Sequence, residues 1–201
     1  MTIANRRSTN TPVDALFLER WSPRAFDGSK LDEDDLLTMF DAARWAPSAF
    51  NGQPWRFVYA HRHSESWPRL LKLLMPFNAL WAQRASVLVF VLSDTLVRLP
   101  HASEWSVSHS HSFDAGAAWA FLALQATRLG YHVHGIGGVD YERARIELSV
   151  PDRFRIETAI AIGRIADKSI LPLELQGREV PNGRRELAEI IMENKFTTNP
   201  L

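Results

Sequence analysis

Between Phe113 and Leu129 the chain carries Ala115, Gly116, Ala117, Ala118, Trp119, Ala120, Phe121, Leu122, Ala123, Leu124 and Ala126, with its polar residues near the two ends. Alanine and leucine at this density favour a helix. A helix apolar nearly all round has to be covered on most of its faces. The chain has 201 residues, about the length of one domain, and a domain of that size struggles to surround such a rod. The segment is therefore either a central internal helix or one shared with a second subunit. Gly130 is placed to cap its C-terminus.

The remaining elements are shorter. Thr11-Pro12 reads as a cap with proline at the first helical position, opening a helix that ends near Trp21 with Val13, Leu16 and Phe17 on one face. Asp32-Glu33-Asp34-Asp35 loads acid onto the first turn of a second helix, where Leu36, Met39, Phe40 and Ala43 follow at helical spacing and Pro47 stops the run. Residues 55–60 read as a half-buried strand, and residues 68–74 as a short helix. The continuous apolar run 86–92 suits a strand buried on both faces. Residues 94–112 are polar, histidine-rich and aperiodic, and read as a loop or lid with at most a short helix. A strand near 131–136, a helix over 140–148 and a strand at 158–162 complete the pattern. Helices and strands mix without strict alternation, so the class is α+β.

Composition removes several functions. The chain has no cysteine, which excludes disulfides, thiolate nucleophiles and iron–sulfur clusters. Lysine plus arginine equals aspartate plus glutamate, 23 each, which argues against nucleic acid or an anionic membrane as the main partner. No stretch is apolar enough to span a bilayer. No apolar run follows Arg6-Arg7, so no secretory signal is expected and a cytoplasmic home is the default. At 46% hydrophobic residues, a sizeable core needs no covalent cross-link. Gly-x-Ser-x-Gly and phosphate-loop motifs are missing, which weakens esterase and NTPase readings.

Two runs carry polar chemistry. The first, Arg20-Trp21-Ser22-Pro23-Arg24, sets two guanidiniums around a hydroxyl. That combination binds a phosphate through charge-assisted hydrogen bonds, although solvated arginines at a helix end are an ordinary alternative. The second runs from Ala46 through Pro47, Ser48, Ala49, Phe50, Asn51, Gly52, Gln53 and Pro54 to Trp55. Its prolines and Gly52 restrict the backbone to one irregular path. Its carboxamides either read the edge of a planar heterocycle or cap local backbone; Gln53 reads as fixing the loop. Gly135-Ile136-Gly137-Gly138 lacks the spacing of a dinucleotide fingerprint and reads as a strand-to-helix turn. By composition Asn182-Gly183-Arg184-Arg185 is a basic turn, and Asn78 a helix-end cap. Six histidines form His-x-His pairs, His61/His63, His109/His111 and His132/His134. That spacing puts two ligands on one side of a strand, but no third ligand stands at a fixed spacing, so ordinary surface or loop histidines are favoured and no metal is assigned. His109 or His111 falls where it can line a substrate mouth.

Taken together, Arg20/Ser22/Arg24, the Ala46–Trp55 block, Phe77-Asn78 ahead of the apolar strand, Leu129-Gly130 leading to Gly135–Asp140, and Leu171-Pro172 through Gly183-Arg184-Arg185 to Ile190 resemble the nitroreductase family of FMN-dependent oxidoreductases, in that family's order. The resemblance covers most of the chain. It implies one FMN-binding domain over 1–201, a mixed, mainly antiparallel sheet flanked by helices, and an intertwined homodimer with two flavins at the interface. It implies that Arg20, Trp21, Ser22, Arg24, Arg184 and Arg185 surround the phosphate, and that Pro47, Ser48, Ala49 and Asn51 approach from the partner subunit. It further implies that Asn78 contacts the pyrimidine side, and that Gly135, Ile136, Gly137 and Gly138 lie by the reactive nitrogen. There glycine permits close backbone approach, and amides stabilise arriving negative charge. NAD(P)H is the implied transient donor, and a nitroaromatic or quinone the implied small-molecule acceptor, in a ping-pong scheme. The cofactor carries the chemistry, so no side chain is assigned as catalytic. Trp81 stands where some relatives carry a basic residue near the substrate, and Gly135 and Gly137 replace larger residues of some members. Two other classes remain open: a histidine-ligated metalloprotein, and a flavin-fold binding protein without turnover.

Overall fold

The computed structural model describes residues 5–197. Its strands are β1 (Trp55–His61), β2 (Val87–Asp94), β3 (Leu96–Arg98), β4 (Trp105–Val107), β5 (His132–Ile136) and β6 (Phe154–Gly163). β1, β2, β6 and β5, in that order, form an antiparallel sheet, and β3 pairs with β4 in a separate hairpin. The helices are α1 (Ala15–Glu19), α2 (Glu33–Arg44), α3 (Trp67–Leu71), α4 (Pro76–Ala82), α5 (His111–Arg128), α6 (Tyr141–Glu147), α7 (Leu173–Gln176) and α8 (Leu187–Ile190). Among the described residues no helix is long and apolar enough to cross a membrane.

The apolar run of β2 is explained by two cores. All eight of its residues are buried. Val87, Val89 and Val91 join α2 and α5 on one side, while Leu88, Phe90 and Leu92 join α3, α4 and Phe26 on the other. Strand alternation sends successive side chains to opposite faces, so a strand between two layers has no polar face.

α2 forms as its sequence indicates. The Asp32 carboxylate accepts the Asp34 amide at 2.9 Å, and the helix buries Leu36, Met39 and Ala43. α5 buries only one face, through Ala115, Ala118, Leu122, Ala123 and Ala126. Phe113 is 81% exposed and Phe121 40%. The chain by itself therefore leaves uncovered part of the apolar surface that the sequence marks for burial. Gly130 follows the helix with φ 78°, where glycine carries no steric penalty.

Four local expectations are corrected. The first helix is capped by Asp14, whose carboxylate accepts the Leu16 amide at 2.8 Å, not by Thr11. Val13 then precedes the helix, and it and Phe17 are exposed. α3 stops at Leu71, short of Leu74. α4 was not expected; Pro76 sits in its first turn, where a missing N–H costs nothing. Residues 94–112 hold the β3–β4 hairpin in place of a loop or short helix. Its base is pinned by Arg153, which pairs with Asp94 at 2.6 Å and stacks 3.7 Å from the Trp105 ring centroid.

Candidate functional site

The chain leaves α1 at Arg20 in extended conformation and enters Trp21–Arg24 alongside β5, Trp21 against His132 and Pro23 against His134. Arg7, Arg20, Trp21, Ser22, Arg24, His134, Arg178, Val180, Asn182 and Arg184 line a cavity of about 340 Å³ there. Five arginines thus line one space from three separate parts of the chain. Arg20 donates to Ser22 Oγ at 3.3 Å. Arg7 donates to the carbonyls of Asn182 at 2.7 Å and Arg20 at 2.6 Å, tying the N-terminal segment to the late turn. Burial and then Arg184 hold the Arg20 guanidinium below its ordinary range. Burial, Arg184 and Arg20 do the same to Arg7; burial and Arg178 lower Arg24, partly offset by Glu179. These arginines repel one another, so a multiply charged anion relieves the repulsion while satisfying their donors. The phosphate of the implied flavin nucleotide fits this donor set.

His134 lines the cavity without adding a charge. Its Nδ1 lies 2.8 Å from the Pro23 carbonyl; a carbonyl only accepts, so Nδ1 carries the proton. The ring packs 4.6 Å from Trp81. Burial above all brings its pKa down to about 4, so the imidazole is neutral at neutral pH. His132 packs edge-on to Trp21, and burial and then Arg20 lower its pKa as well. Neither is the surface histidine that composition favoured. Trp81 is 2% exposed, between His134 and Phe26.

A second set of groups meets where β5 ends. Asn78 stands inside α4, not at a helix end, and its Nδ2 is 3.5 Å from the Gly138 carbonyl. A Cβ on Gly138 would collide with that amide. The Gly138 carbonyl also accepts the Met75 amide at 2.9 Å, and the Gly137 carbonyl accepts from Tyr141 Oη at 3.2 Å. Thr158 Oγ1 holds the Ile136 carbonyl at 2.8 Å. Gly137 has open space where a Cβ would stand, whereas a side chain at Gly135 would meet Trp119 of α5. A flat ligand can therefore approach the main chain at Gly137.

The Pro47–Asn51 loop lies away from the arginine cavity and lines none of it. Phe50, Asn51 and Gln53 have φ of 53°, 53° and 46°, a region that L-residues adopt only where the surroundings hold them. The Asp114 carboxylate at the start of α5 accepts the Ala49 amide at 3.1 Å, Ser48 Oγ accepts the Gln53 amide at 3.0 Å, and Gln53 Nε2 donates back to the Asn51 carbonyl. Gln53 fixes the loop, as its sequence suggested. Phe50 is 65% exposed, so the loop presents outward.

Of the residues expected at the phosphate, Arg20, Trp21, Ser22, Arg24 and Arg184 converge; Arg185 is exposed and lines no part of the cavity. Sequence reasoning missed Arg7, His134, Arg178 and Glu179. Charge alone marks Arg7 and Arg178 in the sequence, and their neighbours are distant in it. Among the described residues no three histidine, aspartate or glutamate side chains gather as a metal-ligand set. His111 is held by Ser93 Oγ at 2.7 Å and lies 3.4 Å from Glu157.

The class is an antiparallel α+β fold with an arginine-lined cavity beside one strand of its sheet. A family model described as the nitroreductase family matches residues 18–79. A crystal structure described as the oxidoreductase containing FMN is 54% identical, covers 99% of this chain and 100% of its own, and superposes with a TM-score of 0.93. A nitroreductase family protein from Streptococcus pneumoniae TIGR4 is 26% identical, with 89% of this chain and 98% of its own covered and a TM-score of 0.70. The CLA biosynthesis enone reductase of Lactiplantibacillus plantarum is 25% identical over 85% of this chain and 93% of its own. The chain belongs to the nitroreductase family and is an oxidoreductase.

Proposed function

We propose that residues 1–201 form one FMN-binding domain of an NAD(P)H oxidoreductase that reduces an electron-poor small molecule, a nitroaromatic or a quinone, by a ping-pong scheme. The observation that carries this reading is the cavity lined by Arg7, Arg20, Arg24, Arg178 and Arg184 together with Ser22. Bound there, the flavin supplies reversible hydride acceptance. The chain's residues bind and orient. Arg20, Arg24 and Arg184 donate charge-assisted hydrogen bonds to the phosphate, Trp21 walls the cavity, and neutral His134 adds no further positive charge. Asn78 is held by the Gly138 carbonyl facing the pyrimidine edge. The backbone from Gly135 to Gly138 lies along the ring, with Gly137 open to close approach. Arg185 takes a flanking role on the exposed turn.

The acceptor half of the site belongs to a homodimer. Phe113 and Phe121 leave an apolar strip on α5. Pro47, Ser48, Ala49 and Asn51 sit on an outward loop away from their own cavity, positioned for the partner's flavin. No observation favours the metalloprotein alternative. The test is to denature purified protein, measure released FMN by fluorescence, reload the apoprotein, and add NADH or NADPH anaerobically. Stoichiometric FMN that bleaches and is reoxidised by a quinone is expected; failure to take up FMN overturns the reading, and uptake without bleaching leaves a binding protein.

A further inference from the structure

Glu179 is the one fully buried carboxylate among the described residues, at 0% exposure, and no sequence motif marks it. Its Oε1 accepts the backbone amides of Arg24 at 2.7 Å and Ala25 at 2.8 Å. Its Oε2 has no hydrogen-bond partner among the described residues; the Arg24 guanidinium stands 4.0 Å away. At that distance the charges attract, but the guanidinium donors are not consumed. Burying a carboxylate is costly unless it is paired and hydrogen-bonded, and here the return is a fixed backbone. Ala25 is fully buried, its carbonyl accepts the Ala166 amide, and Phe26 bridges to Ile165. The segment leading out of Arg24 is therefore anchored on both sides, and Glu179 is the contact that reaches Arg24 itself.

We propose that Glu179 is a positioning residue: its buried carboxylate clamps the Arg24–Ala25 backbone and aims Arg24, with its donors free, at the anion that the cavity binds. Because α7 and the 177–184 turn also bring Arg178 and Arg184 to the cavity, the same contact locks the late arginines to the early ones. The anion site is assembled from distant segments, and Glu179 sets the distance between them. The inference rests on the FMN reading above.

The test compares FMN with riboflavin, which lacks the phosphate, by fluorescence titration of apoprotein. Wild type is expected to prefer FMN strongly. Glu179→Leu removes both amide contacts and is expected to cut the ratio of riboflavin to FMN dissociation constants at least tenfold, with riboflavin affinity nearly unchanged. Glu179→Gln keeps a carbonyl for the two amides and is expected to restore the ratio to the wild-type value or above. A role limited to stability weakens both ligands alike and leaves the ratio constant in Glu179→Leu. A role limited to charge raises the ratio in both variants. Either result overturns the proposal. If Glu179→Leu does not fold, Glu179→Asp, one methylene too short to reach both amides, must show the same selective loss. A wild type without preference for FMN refutes the underlying cofactor reading instead, which keeps the two failures apart.

Discussion

Replacing His134 with phenylalanine should flatten the acid limb of the stability curve of the flavin-free protein. The imidazole is partly buried against Trp81 and among arginines, and its pKa falls from an ordinary 6.5 to about 4. Between those values the unfolded chain binds the proton and the folded chain does not, so stability rises with pH across that window. The contribution is complete above about pH 6.5 and is lost as pH falls toward about 4. Linkage places the loss between about pH 7.5 and about pH 5 near 2 kcal/mol. At a urea slope of about 2 kcal/mol per M, this is about 1 M in the unfolding midpoint. His134→Phe keeps a ring against Trp81 but gives up the bond to the Pro23 carbonyl, so it starts less stable at neutral pH; the quantity read is the difference in pH dependence. His132 titrates in both proteins and cancels. Urea melts of apoprotein at the two pH values, followed by circular dichroism, decide the matter. If wild type and variant lose the same stability on acidification, His134 is not held neutral by burial.

Other consequences of the geometry are as direct. Arg24→Ala should weaken FMN binding by about 1.5–3 kcal/mol, the scale of a charged hydrogen bond; an unchanged titration removes Arg24 from the phosphate site. Gly138→Ala drives a Cβ into the Asn78 amide and should displace that side chain, lowering FMN affinity while far-ultraviolet circular dichroism stays constant; full retention of affinity would show Asn78 to be dispensable. Asp114→Ala frees the Ala49 amide, and the expected outcome is weaker FMN retention with the phosphate cavity intact, read as an equal loss of FMN and riboflavin affinity. Sedimentation at micromolar concentration should show a dimer for wild type and a monomer for Phe113→Asp with Phe121→Asp; a wild-type monomer contradicts the shared-site arrangement.

Much of the fold was legible because the signals are local. Asp32 followed by acidic residues starts a helix through its own carboxylate and the peptide dipole. The β2 run suits a strand covered on both faces. Gly130 ends α5 because its backbone needs a positive φ. The misreadings were also local competitions. Asp14 outcompeted Thr11 for the first cap because an ionised carboxylate accepts an amide more strongly than a hydroxyl does. The hairpin at β3–β4 has too few residues per strand for periodicity to show, and it is pinned by Arg153, in the turn ahead of β6 and distant in sequence. Arg20, Ser22, Arg24 and Arg184 could be read as phosphate ligands because their residue types and order match a family. Nothing within the chain's linear spacing distinguishes Arg184, which reaches the cavity, from Arg185, which does not.

Local chemistry along the chain determined most of the helices and strands, that the central strand is covered on both faces, and that disulfide, thiolate and iron–sulfur chemistry is excluded. Those properties follow from side-chain size, periodicity and capping, which neighbours a few residues apart settle between themselves. Tertiary structure alone decided that Arg7 and Arg178 join the anion cavity, that His134 stays neutral within it, and that Glu179 grips the backbone of a residue 155 positions away. Charge and hydrogen bonding act through space, and burial is set by what packs alongside. Their consequences exist only once folding has brought the distant segments together.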